Sequence, residues 1–422
     1  MPAVRSPSSP VPSEHGYRVL ATSAYFEPGY RAGGPVRSMV CMVDGVPSDV
    51  RLTLVTNDRD LGCRTPYPGL SGRWATRSRS RVFYLNRRSP RHWWRIWRAQ
   101  RSAGPFDLLY VNSVWQPTFS LLPVLATILG LISAKRILIA PRGEFSPGAL
   151  DIRSHKKRLF LALWRRLLSR RDVIWHATND REVTHIRALV PGARIVLREN
   201  QTLLPVDPAP PVEHDDDHLR LVFLSRITPM KNLDLVLRAL TTVSRPLSLD
   251  IHGPVDDQSY WRECQRLCDE LPATVTVRYR GPVPPTEVRA TFTRYDAFVL
   301  PTRGENFGHV IAESLSASCP VVCSAETPWT DVLDGGGGVV LPALSPTELS
   351  RVVERMAADG VAERYARRVA AGEAYRAWRA RQATHSVIDL VRTDTFADVA
   401  GPPSQGGAVR VPSGRTAVRE RG

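Results

Sequence analysis

Two glutamates stand eight residues apart in the stretch Leu300-Pro-Thr-Arg-Gly-Glu-Asn-Phe-Gly-His-Val-Ile-Ala-Glu-Ser-Leu315. Glu305 falls in a polar loop and Glu313 inside the amphipathic pattern that follows. Between them, Asn306, Phe307 and Gly308 open a helix. The first amides of a helix lack intrahelical acceptors and carry the positive end of its dipole, so they suit a phosphate. A glycine at position 308 lets such a group approach the backbone. Arg226 and Lys231 bracket a second polar turn, where two cations can face the same anion. Gly33 and Gly34 form a third bare stretch of backbone, followed by Pro35 in a first helical turn. Three loops that can face a phosphate and two carboxylates that can accept from hydroxyls suit a phosphorylated, hydroxyl-rich ligand.

The elements that must hold these residues are read from the pattern around them. Asp296–Pro301 is a short apolar run ending at a proline, as a buried parallel strand does. Strands are likewise expected at Tyr17–Thr22, Leu52–Thr56, Val82–Leu85, Leu108–Val111, Ile137–Ala140, Val173–His176, Leu219–Ser225, Leu249–Pro254 and Val275–Arg280. Helical patterns separate them, which argues for α/β halves with parallel sheets covered on both faces. Residues 1–15 and 393–422 are Pro/Ser- and Pro/Gly/Arg-rich and are expected to be disordered. The expected domains are 16–199 and 219–392, joined by a Pro-rich linker, 200–218. A last helical stretch is expected from Glu363 to about Leu390.

The chain has 422 residues and a net charge of +16. Residues 1–200 hold 32 Lys+Arg against 13 Asp+Glu, a net of +19, whereas 201–422 hold 25 against 28, a net of −3. Such a field attracts anionic partners. Two segments combine it with aromatic or apolar residues at helical spacing: 91–98, which is rich in Trp, and 154–171. Either can be a surface helix packed on a sheet or a segment lying on an anionic membrane. No recognition-helix or RNA-binding signature accompanies the charge, so nucleic acid is not an expected partner. The longest apolar run, Phe119–Ala134, is short for a membrane span, contains Pro123 and reads as a buried helix. No apolar leader is evident, and a cytoplasmic protein is expected, peripheral on the inner face of the plasma membrane if those segments bind there. Six scattered cysteines lack zinc spacing, and the His/Asp run 214–218 reads as a solvated linker, so no metal site is expected.

Three strings together carry a family resemblance. Gly304-Glu-Asn-Phe-Gly-His-Val-Ile-Ala-Glu-Ser-Leu315 resembles the E-x7-E segment of the retaining GT-B glycosyltransferases of family 4, the glycosyl transferases group 1. Glu27-Pro-Gly-Tyr-Arg-Ala-Gly-Gly-Pro-Val-Arg-Ser38 resembles the family's Gly-Gly opening, and Arg226-Ile-Thr-Pro-Met-Lys-Asn232 its R-x-x-P-x-K-N block. Ala140-Pro-Arg-Gly-Glu-Phe-Ser-Pro-Gly-Ala-Leu150 is similar to a block of the exopolysaccharide and capsule branch.

The resemblance implies a GT-B fold, two Rossmann-like doubly wound domains facing across a cleft. It implies transfer of a sugar from a nucleotide donor, UDP- or GDP-linked, to a saccharide or lipid-linked acceptor, with retention and with no cofactor or metal. By the same likeness Arg226, Lys231 and Glu305 act in catalysis. Gly33, Gly34, Asn306, Phe307, Gly308 and Glu313 then complete the donor site, with Glu313 accepting from the ribose hydroxyls. Asn112, Arg142 and Glu144 face the sugar or acceptor, Asn112 standing where many relatives have a histidine. An inactive nucleotide-sugar-binding scaffold and a GT-B-fold epimerase are the alternatives.

Overall fold

The computed structural model describes residues 16–146, 164–214, 218–382 and 385–397. The expected disordered lead, nearly all of the tail, the Asp215–Asp217 run and most of segment 154–171 therefore lie outside the described residues.

Two α/β domains face each other. The first holds an eight-stranded sheet in the order β3-β4-β2-β1-β5-β6-β7-β8. Its strands are β1 (Tyr17–Ser23), β2 (Val50–Asn57), β3 (Trp74–Arg77), β4 (Ser80–Leu85), β5 (Phe106–Asn112), β6 (Ala134–Ala140), β7 (Val173–Ala177) and β8 (Arg194–Leu197). All neighbours run parallel except β3, which forms an antiparallel edge hairpin with β4. The second sheet has the order β11-β10-β9-β12-β13-β14. It is built from β9 (Leu219–Leu224), β10 (Leu247–His252), β11 (Val275–Gly281), β12 (Ala297–Leu300), β13 (Val321–Ser324) and β14 (Gly338–Leu341). Its pairings are all parallel.

In each sheet the strand order reverses about one strand. β1 is flanked by β2 and β5, and β9 by β10 and β12. At such a reversal the loops leaving neighbouring strands diverge to opposite faces and open a crevice at their C-terminal ends. Helix α1 (Gly34–Asp44) follows β1, and α2 (Pro90–Ala103) follows β4. α3 (Leu122–Ile128) lies between β5 and β6, α4 (Asp180–Leu189) follows β7, α5 (Leu233–Leu240) follows β9 and α6 (His309–Ser316) follows β12.

β5 is buried along its whole length save Asp107, as a central parallel strand must be. Two apolar layers cover the first sheet, one with Val36, Met39 and Val43 of α1, the other with Ile96 of α2 and Val124 of α3. A single larger core fills the second domain.

Three sequence expectations change. The run 119–134 is not one helix: a π-turn at Pro117–Leu121 leads into α3, and Leu129 and Leu131 are exposed beyond its end. The last helical stretch breaks into α7 (Val361–Arg381) and α8 (Val387–Arg392). The second domain also ends earlier than 392. α8 buries Val387, Ile388 and Val391 in the core of the first domain, and Arg136 Nη1 donates to Val391 O at 2.8 Å. The chain thus crosses back, a long-range return that no local pattern announces. Residues 204–214 pack on the second domain: Tyr375 Oη donates to Pro205 O at 2.6 Å, and Ala209 N to Ser316 O at 2.7 Å.

Candidate active site

A cleft of about 960 Å³ lies between the C-terminal ends of the two sheets. Its walls bring together Gly33, Gly34, Arg142, Glu144, Arg226, Lys231, Glu305, Asn306, Phe307, Gly308 and Glu313. Of the residues singled out by sequence, Asn112 alone is missing from these walls. It is 3% exposed at the end of β5, where its Oδ1 accepts from Arg142 Nε at 2.7 Å and its Nδ2 donates to Ser23 Oγ at 3.2 Å. Asn112 supports Arg142 from beneath and does not face the ligand space.

Each wall is set by the loop that leaves a central strand. After β1, Tyr30 N and Arg31 N donate to Asp60 Oδ2 at 3.0 and 3.2 Å. This anchor turns the chain so that Gly33, with φ 69°, caps α1 and Gly34 begins it. After β12, Gly308 caps α6 with φ 82°. A Cβ at Gly308 would lie 3.0 Å from Ile311 Cδ1 and 3.2 Å from Trp329 Nε1, so this turn needs glycine twice over. The first α6 hydrogen bond runs from Ile311 N to Gly308 O, which leaves the preceding amides at the helix start. The two helix starts meet across the cleft: the Cβ position of Gly34 is 3.7 Å from His309 Cδ2.

After β9, Arg226 reaches Asp256 at 2.9 Å and remains well exposed, while Lys231 is buried against Glu305 in a close ion pair. Asn232, in the left-handed region with φ 62°, donates to Pro301 O at 3.0 Å and accepts from Arg303 Nε at 3.2 Å. It thereby ties the Lys231 turn to the loop carrying Glu305. That loop is held further by Arg303 N to Met230 O at 2.9 Å and Glu305 N to Glu326 O at 2.9 Å.

Phe307 is 6% exposed and its ring packs edge-on against Trp329 at 5.8 Å, so the side chain belongs to the core. Its carbonyl accepts from Trp329 Nε1. Glu144 accepts from Ser113 Oγ at 2.7 Å and Val114 N at 2.6 Å, so it also orders the loop after β5. Arg142, at φ 56°, sends Nη2 to Tyr110 Oη at 2.6 Å and Nη1 to Asn200.

Several residues that sequence reasoning passed over complete the site. Arg37 Nη2 lies 2.6 Å from Glu313 Oε1. Burial pushes the Glu313 carboxyl up to about 7, with Arg37 opposing. Ser38 Oγ lies 2.9 Å from His309 Nε2. Burial, and then the cations Arg37 and Arg142, push His309 down to about 3, so it is neutral. Asn179 Nδ2 donates to Asn306 O at 2.6 Å and Asn306 Nδ2 to Thr178 Oγ1 at 2.9 Å, a reciprocal clasp between the domains. Arg37, Ser38 and His309 all stand inside the strings that carry the family likeness. What could not be read there is that these strings touch.

The sequence profile of the family Glycosyl transferases group 1 matches residues 209–375. The chain is 32% identical over 150 residues to a D-inositol 3-phosphate glycosyltransferase of Thermomonospora curvata, covering 33% of this chain and 35% of that one. It is 32% identical over 161 residues to a GDP-mannose-dependent alpha-(1-6)-phosphatidylinositol monomannoside mannosyltransferase of Mycolicibacterium smegmatis, covering 34% and 42%. The chain therefore spans less than half the length of the curated relatives it matches. Among solved structures, sucrose-phosphate synthase of Thermosynechococcus elongatus superposes with a TM-score of 0.68 at 15% identity, over 90% of this chain and 98% of that one. Anabaena HepE, solved in complex with UDP and glucose, gives 0.63 at 15% identity over 90% and 98%. At that identity the likeness concerns the fold, which is GT-B.

Proposed function

We propose, from the match of residues 209–375 to the glycosyl transferases group 1, a glycosyltransferase that moves a sugar from a nucleotide diphosphate donor to a saccharide or lipid-linked acceptor. The observation that carries this reading is the meeting of two glycine-capped helix starts, Gly33–Gly34 and Gly308–His309, beside Arg226, Lys231, Glu305 and Glu313 in one cleft. The donor is a UDP- or GDP-sugar, with its diphosphate between these groups and its ribose hydroxyls on Glu313.

The chemistry follows from where charge develops. As the bond between the anomeric carbon and the phosphate oxygen breaks, its electron pair leaves with the phosphate. Arg226, Lys231 and the amides at the start of α6 are fixed before reaction and stabilise that charge. Glu305, oriented by Lys231, holds the donor sugar. The acceptor oxygen bonds to the anomeric carbon on the face the phosphate leaves, and its proton passes to the departing phosphate oxygen. This course retains configuration, needs no pair of carboxylates acting as acid and nucleophile, and makes donor binding independent of divalent metal. Synthesis of a cell-surface polysaccharide or glycoconjugate is the role that suits such a transfer.

The test is calorimetric titration of UDP, GDP, TDP and ADP into wild type and Glu313→Ala, with and without EDTA. Micromolar binding of one diphosphate that survives EDTA and weakens in the variant is the expected result. Absence of nucleotide binding, or binding only with a divalent metal, would overturn the reading.

A further inference from the structure

α2 carries a surface that the cleft chemistry does not use. Its inner side is anchored by Ile96, 6% exposed, and by Trp93, whose Nε1 donates to Arg87 O at 3.0 Å. Its outer side presents Trp94 at 54% exposure and Trp97 at 45%. Arg98 lies 5.3 Å over the Trp94 ring and Arg101 4.9 Å over that of Trp97. Residues 94, 97, 98 and 101 are at helical spacing, so the two indoles and two guanidinium groups form one stripe.

The surroundings of this stripe are unusual in charge. Residues 61–106 contain eleven arginines and no Asp or Glu. Among the described residues, the only ion pairs these arginines make are those of Arg77 with Glu27 and Asp44. On the same side of the sheet, the end of α3 exposes Leu129 at 72% and Leu131 at 64%. No helix of the described residues is long and apolar enough to cross a membrane.

We infer that the outer face of α2, centred on Trp94, Trp97, Arg98 and Arg101, seats the protein on an anionic lipid bilayer. Indole rings partition to the headgroup boundary, and arginines there reach anionic headgroups while their stems cover apolar surface. The guanidinium groups already lie over the indole faces, where a nucleic-acid base would have to stack. α2 also begins directly after β4, at the end of the sheet that lines the cleft. A lipid-carried acceptor is the consequence that rests on the transferase reading, whereas the docking surface does not.

The test uses the full chain. Flotation with phosphatidylglycerol–phosphatidylcholine vesicles and with phosphatidylcholine vesicles is measured at low and high salt, together with tryptophan emission. The proteins are wild type, Trp94→Ser/Trp97→Ser and Arg98→Glu/Arg101→Glu. Wild type is expected to bind the anionic vesicles alone, with a blue shift in emission and weaker binding at high salt. Each double variant is expected to lose about tenfold or more in vesicle affinity while its nucleotide titration stays as in wild type. No binding to anionic vesicles, unchanged binding in both variants, or capture by a single-stranded oligonucleotide without vesicle binding would overturn the inference. Vesicle binding without nucleotide binding would sink the transferase reading and leave this surface standing.

Discussion

Arg37 and Glu313 belong to different domains and meet across the cleft at 2.6 Å. The pair joins the second turn of α1 to the middle of α6, and it occupies the carboxylate that the donor's ribose is proposed to need. Burial outweighs the cation and raises the Glu313 carboxyl to about 7. A raised acid binds more protons folded than unfolded, so its contribution to stability falls as pH rises from the unfolded value through the folded one. Between about pH 4.5 and 7 the empty protein should lose stability, by about 3 kcal/mol in all, from this group. Glu313→Gln should flatten that decline, and urea unfolding of both proteins at pH 5 and pH 8 checks it. Parallel pH profiles would show that Glu313 is not protonated in the folded state. Ligand binding has the opposite sign. The ionised carboxylate is the better acceptor from two hydroxyls, so nucleotide affinity should rise through the same window.

Lys231 and Glu305 form the second buried pair of the cleft, and both sit on one domain. Removing the cation leaves a carboxylate uncompensated beside the proposed phosphate position. Lys231→Ala is expected to lower kcat by about a hundredfold or more and to weaken diphosphate binding. Lys231→Arg should keep part of the binding but misplace Glu305, because a planar guanidinium is longer and needs two acceptors. Release of nucleoside diphosphate, followed under single-turnover conditions, separates the two effects. A Lys231→Ala enzyme with wild-type turnover would remove Lys231 from the mechanism.

How far the sequence reveals this site depends on the range of the interaction. Strand-ends such as Asp296–Pro301 are marked by local apolar runs, and the loops after them by glycine and charge. β3 and β8 escape because they are four residues long and lie at or near a sheet edge, with too few alternating positions to register. β14 escapes for another reason: it begins on the last of four consecutive glycines, a composition typical of loops. Asn112 is placed at a strand end correctly, yet its side chain turns inward to Arg142, a contact spanning 30 residues. Arg37–Glu313 and Ser38–His309 span more than 270 and depend on how two domains dock. A motif shows which residues are present, and only the docked fold shows that two motifs share a hydrogen bond.

The two capping glycines differ in what surrounds them. Both have positive φ, but nothing lies within 4 Å of a Cβ at Gly33, whereas Gly308 is crowded by Ile311 and Trp329. Gly33→Ala should therefore cost only the strain of a positive-φ backbone, about 1–3 kcal/mol. Gly308→Ala adds overpacking and should cost about 2–4 kcal/mol. Thermal unfolding of the two variants side by side provides the comparison. Equal losses would mean that the Trp329 side of the α6 turn yields freely.

Asn112→Ala tests whether Arg142 works by being held. The substitution removes one of three side-chain acceptors of the guanidinium and leaves buried Ser23 without its amide donor. A loss of stability of about 1–3 kcal/mol is expected from the unmade bonds. Because Asn112 lies below the cleft wall, KM for the donor should change little while kcat falls as Arg142 loses its fixed position. Asn112→Asp keeps an acceptor for Arg142 Nε and strengthens it by charge, so it should retain most of kcat. The pair of variants distinguishes a positioning role from direct contact. If Asn112 touched the sugar, the aspartate would disturb KM as much as the alanine does. If it only orients Arg142, activity should follow the acceptor at position 112 and not the amide.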